Sequence, residues 1–238
     1  LMGRLLSGYD FVSDVPTAND GNGRDANAAD PGNWISTEDS QTTTFSGCSV
    51  KNSSWHGTFV AGQIAANTHS DSDVAGADWN VKVLPVRVLG KCGGFLSDVL
   101  DAMLWSAGLD VPGIPSNPTP ADVINLSLGS ASTCSSFEQT VVDRVNAAGT
   151  VVVAAAGNGG GSVDSPANCS NVLSVGALDR DGSRASYSAI GSGVSLMAPG
   201  GNSNGFGPLR TYETTTELPA RKASSSGTSL SAPWVAAG

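Results

Sequence analysis

The chain has 238 residues, 39% of them hydrophobic, 14% charged and 30 of them glycine, which is the length and composition of a turn-rich domain with a sizeable core rather than a disordered tail. With 12 Lys plus Arg against 21 Asp plus Glu, the net charge of −9 would repel nucleic acid and anionic membrane surfaces. The longest apolar run, Val151 to Ala156, is far shorter than the ~20 residues of a membrane-spanning helix.

In chain order, Leu1-Met2-Gly3-Arg4 carries no charged-then-apolar leader, and the segment Asp14 to Thr44 is polar, with Gly and Asp clusters. It reads as a long irregular loop held by something other than a core, with a bound cation the expected agent. His56 opens a run of small and apolar residues to Gly62 that predicts a tightly packed helix with the imidazole at its start. Val81 to Leu89 is rich in β-branched residues and predicts a strand, and Val99, Leu100, Met103, Leu104 and Ala107 follow at helical spacing. Four prolines make Asp110 to Pro120 a surface connection. Asp122 to Leu128 is a buried strand, Phe137, Val141, Val142 and Val145 share a helical face, and Thr150 to Ala156 is the next strand. Asn171 to Leu178 and Val194 to Ala198 are two further strands, so the pattern is α/β with a mainly parallel sheet. The chain ends at Ala236-Ala237-Gly238 within a predicted helix, and both ends are expected to be cut.

Cys48, Cys92, Cys134 and Cys169 come without a CxxC pair or a His-rich tract, which disfavours zinc. Their even number in an acidic, Gly- and Ser-rich chain suggests two disulfides and an oxidising, extracellular compartment, with buried free thiols the alternative. Three connectivities are open. Sequential pairing, Cys48 with Cys92 and Cys134 with Cys169, closes short loops and is the favoured one.

An open parallel sheet places function at the carboxyl ends of its strands. Of the two histidines, His69 lies in a polar surface stretch and has no expected role, whereas His56 heads the packed helix. Ala154-Ala155-Ala156-Gly157-Asn158 ends a hydrophobic strand in an amide donor suited to a developing negative charge. Ser224 to Trp234 leads from a glycine turn into small residues that start a buried helix, with Ser229 at the end that aims backbone N–H groups at an anion.

Together, His56-Gly-Thr, Ala156-Gly-Asn158 and Gly227-Thr-Ser229-Leu-Ser-Ala-Pro233 resemble the subtilisin-like serine proteases, the subtilase family. The resemblance covers almost the whole chain, including Asn125 to Gly129 and Ser165-Pro166-Ala167, and the stretches Gly8 to Ser13 and Asp25 to Trp34 look most like its secreted bacterial members. It implies a three-layer subtilisin-like fold, a single peptidase domain over residues 1–238, and endopeptidase chemistry on polypeptide substrates. Ser229 would be the nucleophile, His56 the general base, and Asn158 the oxyanion-hole donor beside the Ser229 N–H. Gly93, Gly94, Phe95, Ser127, Leu128 and Gly129 would flank an extended peptide as added strands. Ala154, Ala155, Ala156, Gly157 and Asp164 would wall the pocket for P1, the residue before the scissile bond, and Ser165-Pro166 would be cis. Asp164 is unusual there: pointing into the pocket it would favour Lys or Arg, and otherwise it faces solvent or caps a turn. The resemblance further implies an extracellular, monomeric protein, with a propeptide or protein inhibitors as partners.

In subtilases the order is Asp, His, Ser, and the Asp sits in Asp-Thr-Gly or Asp-Ser-Gly. Neither motif occurs here, so no catalytic Asp is assigned; the strand carrying it is expected before Leu1 and the end of the Ser229 helix after Gly238. A catalytically silent homologue that binds extended peptides is the alternative. Asp14, Asp20, Asn22, Asp25 and Asp30 offer hard oxygen ligands for a structural Ca²⁺, or else a merely solvated acidic loop, since the EF-hand pattern is incomplete. Gly201-Asn-Ser-Asn-Gly205 fits the G-x-S-x-G pattern of another hydrolase class, but no histidine follows it, and neither a P-loop nor a full G-x-G-x-x-G occurs.

Overall fold

The computed structural model describes residues 1, 3–67, 75–202 and 225–238. His69 and most of the Gly201–Gly205 stretch lie outside them. The elements run β1 (Tyr9–Asp10), α1 (Val15–Ala18), α2 (Thr37–Ser40), α3 (His56–Ala65), β2 (Val86–Arg87), α4 (Leu96–Ser106), β3 (Val123–Leu126), α5 (Ser136–Ala147), β4 (Val151–Ala155), β5 (Leu173–Leu178), β6 (Leu196–Pro199) and α6 (Thr228–Ala236).

Strands β3, β4, β5 and β6 form a parallel sheet in that order, with Ile124 opposite Val152 and Val175 opposite Leu196. Because strand side chains alternate between faces, β4 feeds two cores. Val152, Ala154 and Ala156 join Ile124 and Leu126 against Met103 and Trp105 of α4 and Val141, Val142 and Val145 of α5. Val153 and Ala155 join Val175 and Ala198 against Ala232 of α6. Helices thus cover both faces of the sheet, which is the three-layer arrangement expected. It positions the start of α6 at the carboxyl end of β4.

The predicted strand Val81 to Leu89 is shorter than its composition suggests. Only Val86–Arg87 pairs regularly, parallel to Tyr9–Asp10, with one further parallel bridge between Leu5 and Val83. Both expected disulfides are present, Cys48–Cys92 and Cys134–Cys169. The Ser165-Pro166 bond is cis.

The polar segment 14–44 is more ordered than expected. Asp14 caps α1 by accepting the Thr17 N–H at 3.0 Å, and Ser36 with Asp39 forms a reciprocal capping box on α2. Cationic side chains of the protein tie this segment down. Arg87 pairs with fully buried Asp10 and with Asp20 (3.0 Å) and also donates to the Ala18 carbonyl. Arg24 pairs with fully buried Asp98 at 2.7 Å and with Asp101 at 2.8 Å, tying the loop to α4. Lys91 reaches Asp39 at 2.8 Å and lies 4.8 Å from the centre of the Trp34 ring.

Candidate active site

Helix α6 starts where the chain leaves Gly227, whose φ of +153° favours a residue without a side chain. A Cβ at Gly227 would stand 3.6 Å from Asn158 Nδ2 and 3.9 Å from Ser229 N, so both donors border the same space. The orientation of Asn158 is imposed by Thr228. Its N–H and its hydroxyl both donate to Asn158 Oδ1, at 2.9 and 3.0 Å, and the same hydroxyl accepts the Gly157 N–H at 3.2 Å. With the carbonyl end held, the amide NH₂ is the end left to face a ligand. The Ser229 N–H, in the first turn of α6, has no acceptor among the described residues.

Pro233 lies inside α6 and lacks the N–H that would close a helical bond to the Ser229 carbonyl four residues earlier. That carbonyl instead accepts the Ser127 hydroxyl at 2.7 Å, and Ser127 in turn accepts from Asn125 Nδ2 at 2.9 Å. The Ser229 hydroxyl donates to the Ser127 carbonyl at 3.2 Å. Ser127 and Ser229 are therefore clamped together from both sides.

His56 is the first residue of α3, which packs against α6. It follows Trp55, a non-glycine residue at φ 49°. His56 is exposed at the surface, yet desolvation of its ring by the surrounding atoms lowers its pKa from the ordinary imidazole value. A lowered pKa favours the neutral imidazole, the form able to accept a proton. No described residue supplies a carboxylate to it. Asp10, the acid in β1, is committed to Arg87, and burial raises its pKa despite that partner.

Ser127, Leu128 and Gly129 follow β3, and Ser130 bridges Ser165 in antiparallel fashion. Ala154, Ala155 and Ala156 are buried at the end of β4. Gly157 and Asp164 lie against each other. Gly93, Gly94 and Phe95 form the turn between β2 and α4, with Phe95 exposed and Cys92 tied to Cys48.

The five oxygen-bearing side chains proposed for calcium do not converge. Asp14 caps α1, Asp20 pairs with Arg87, Asn22 donates its amide to Asp25, Asp25 also accepts the Asn27 N–H, and Asp30 accepts the Gly32 N–H. Among the described residues no three His, Cys, Asp or Glu side chains gather into a metal site. Both carboxylate oxygens of Asp20 and of Asp25 already have protein partners, while Asp14 and Asp30 each use one, so these five do not make up a calcium cage. Thr228 and Pro233 were not singled out from sequence, although both flank Ser229 in the motif that was.

The profile described as "Subtilase family" matches residues 16–238. The chain is 48% identical over 240 residues to an extracellular protease of Xanthomonas campestris pv. campestris, covering 99% of this chain and 40% of that protein. It is 44% identical over 239 residues to an extracellular basic protease of Dichelobacter nodosus, covering 99% of this chain and 39% of that one. It thus spans about two fifths of the length of these curated relatives. A solved protease of Pseudoalteromonas arctica superposes with a TM-score of 0.92 at 45% identity, over 100% of this chain and 71% of that one. With Asn158, His56 and Ser229 all on segments that the profile spans, the chain belongs to the subtilase family.

Proposed function

We propose that the chain is the peptidase domain of an extracellular serine endopeptidase. The observation that carries this reading is the convergence of Asn158 Nδ2 and the Ser229 N–H on one space, with the Asn158 carbonyl locked away by Thr228. The Ser229 oxygen attacks the peptide carbonyl carbon while His56 takes its proton, and the oxyanion forms between the two N–H donors. His56 then returns the proton to the amine nitrogen as the C–N bond breaks, and water hydrolyses the acyl-enzyme by the same path reversed. No Asp of this sequence is assigned the third place in the triad. The relatives' names support an extracellular location, and the charge of −9 argues against nucleic acid. Substrates are extended polypeptides, a propeptide or protein inhibitor would occupy the same cleft, and the unit is a monomer. A structural calcium ion would need other oxygens than those of the acidic loop, and no step of the reaction runs through one.

The test is labelling of the complete secreted protein with a fluorophosphonate, followed by peptide mapping. The reading expects one adduct, on Ser229, abolished in His56→Ala. An adduct elsewhere, or none, rejects it. One observation favours the second reading, a silent peptide-binding homologue: His56 lacks a carboxylate among the described residues. That reading predicts peptide binding without labelling.

A further inference from the structure

We infer that Asp164 makes this site select Lys or Arg at the position before the scissile bond. The inference rests on the peptidase reading above. It starts from where the chain holds this carboxylate, six residues after Asn158. The Asp164 N–H bonds the Ala156 carbonyl at 3.0 Å, which places the residue beside the end of β4. Its side chain lies over Gly157, where a Cβ would stand 2.7 Å from Asp164 Cγ and where φ is +113°. Only glycine fits that position, so the backbone leading into Asn158 and the Asp164 carboxylate are in direct contact.

On its other side lies the segment after β3. A Cβ on Gly129 would meet the Ser165 carbonyl at 2.6 Å and stand 3.9 Å from Asp164 Cβ. Ser130 and Ser165 exchange backbone hydrogen bonds of 2.9 and 3.1 Å. Buried Glu138 accepts the Ser165 hydroxyl and fixes the next residue from below. Asp164 is therefore held between the two backbone stretches, 127–129 and 154–157, that flank the oxyanion donors.

What distinguishes it is the lack of a partner. The buried acids Asp10, Asp98 and Glu138 each have a cation or a hydroxyl donor. The half-buried carboxylate of Asp164 has neither a hydrogen bond nor an ion pair among the described residues. A bound peptide would cover it. A Phe or Leu side chain would then strip its water and give nothing back, whereas an ammonium or guanidinium would restore charge-assisted hydrogen bonds.

The test uses the complete protein and Ala-Ala-Pro-X p-nitroanilides with X as Arg, Lys, Phe or Leu. The wild type should favour Arg and Lys by about tenfold or more in kcat/KM. Asp164→Asn, nearly isosteric, should lower the Arg-to-Phe and Lys-to-Leu ratios of kcat/KM by about tenfold. Asp164→Glu, which keeps the charge, should retain the preference. A wild type that favours Phe or Leu, or an Asn variant with an unchanged Arg-to-Phe ratio, overturns the inference. If the wild type cleaves none of them, the peptidase reading fails by itself. Titration with Ala-Ala-Pro-Arg and Ala-Ala-Pro-Phe acids then decides the pocket, equal affinities overturning it.

Discussion

Replacing Ser127 by Ala tests how the helix that carries Ser229 is held. In α6 the Ser229 carbonyl has no helical donor because Pro233 occupies the position that would supply it, and the Ser127 hydroxyl at 2.7 Å takes that place. Removing the hydroxyl leaves a partly buried carbonyl unpaired and takes an acceptor from Asn125 Nδ2, a cost of about 1–2 kcal/mol. Pro233→Ala restores an N–H aimed at the same carbonyl, so in that background Ser127→Ala should cost less than about half as much. Equilibrium urea unfolding of the complete protein, with all four combinations built on Ser229→Ala to prevent self-cleavage, measures the coupling. If the two substitutions are additive within about 0.3 kcal/mol, the exchange of donors is not what holds Ser229.

Two further outcomes follow from the acid–base contacts. Arg87→Met leaves fully buried Asp10 without its cation and should cost about 3–5 kcal/mol, read as a fall in Tm; Arg87→Lys should rescue only part, since an ammonium cannot span Asp10, Asp20 and the Ala18 carbonyl in the same fork. A loss under about 1 kcal/mol for Arg87→Met would show that the polar loop is held otherwise. Burial raises the Glu138 pKa, but hydrogen bonds from the Ser165 and Ser135 hydroxyls and the Ser135 N–H outweigh it and bring it below 4.5. A depressed carboxylate stabilises the fold fully above pH 4.5 and loses that contribution as pH falls through the folded value, so Glu138→Gln should flatten the acid limb of the stability curve. An unaltered acid limb would remove Glu138 from the account.

The regular elements that could be read from the sequence are those with enough residues to show a period. The runs giving β3, β4 and β5 and the stripe Val141, Val142, Val145 on α5 bury apolar side chains, and burial is what periodicity reports. Strand β1 is two residues long and carries a buried Asp, so no period marks it. Sequence shows the oxygens of the acidic loop but not what answers them, since the cation beside Asp20 is Arg87, 67 positions away. Ser229, His56 and Asn158 stand out in the sequence as reactive groups at the ends of apolar or small-residue runs. The Ser127–Ser229 clamp and the lock of Asn158 by Thr228 do not, because each joins segments about 70 to 100 positions apart.

The oxyanion hole that we propose for Asn158 and the Ser229 N–H in a working hydrolase is open to direct test. The measurement is peptide hydrolysis by the complete protein and its Asn158→Leu variant. The account predicts turnover by the wild type and a fall of about 10²–10³ in kcat with little change in KM, the size known for the corresponding donor in a subtilisin. Equal kcat in the two proteins, or no hydrolysis by either, would contradict it.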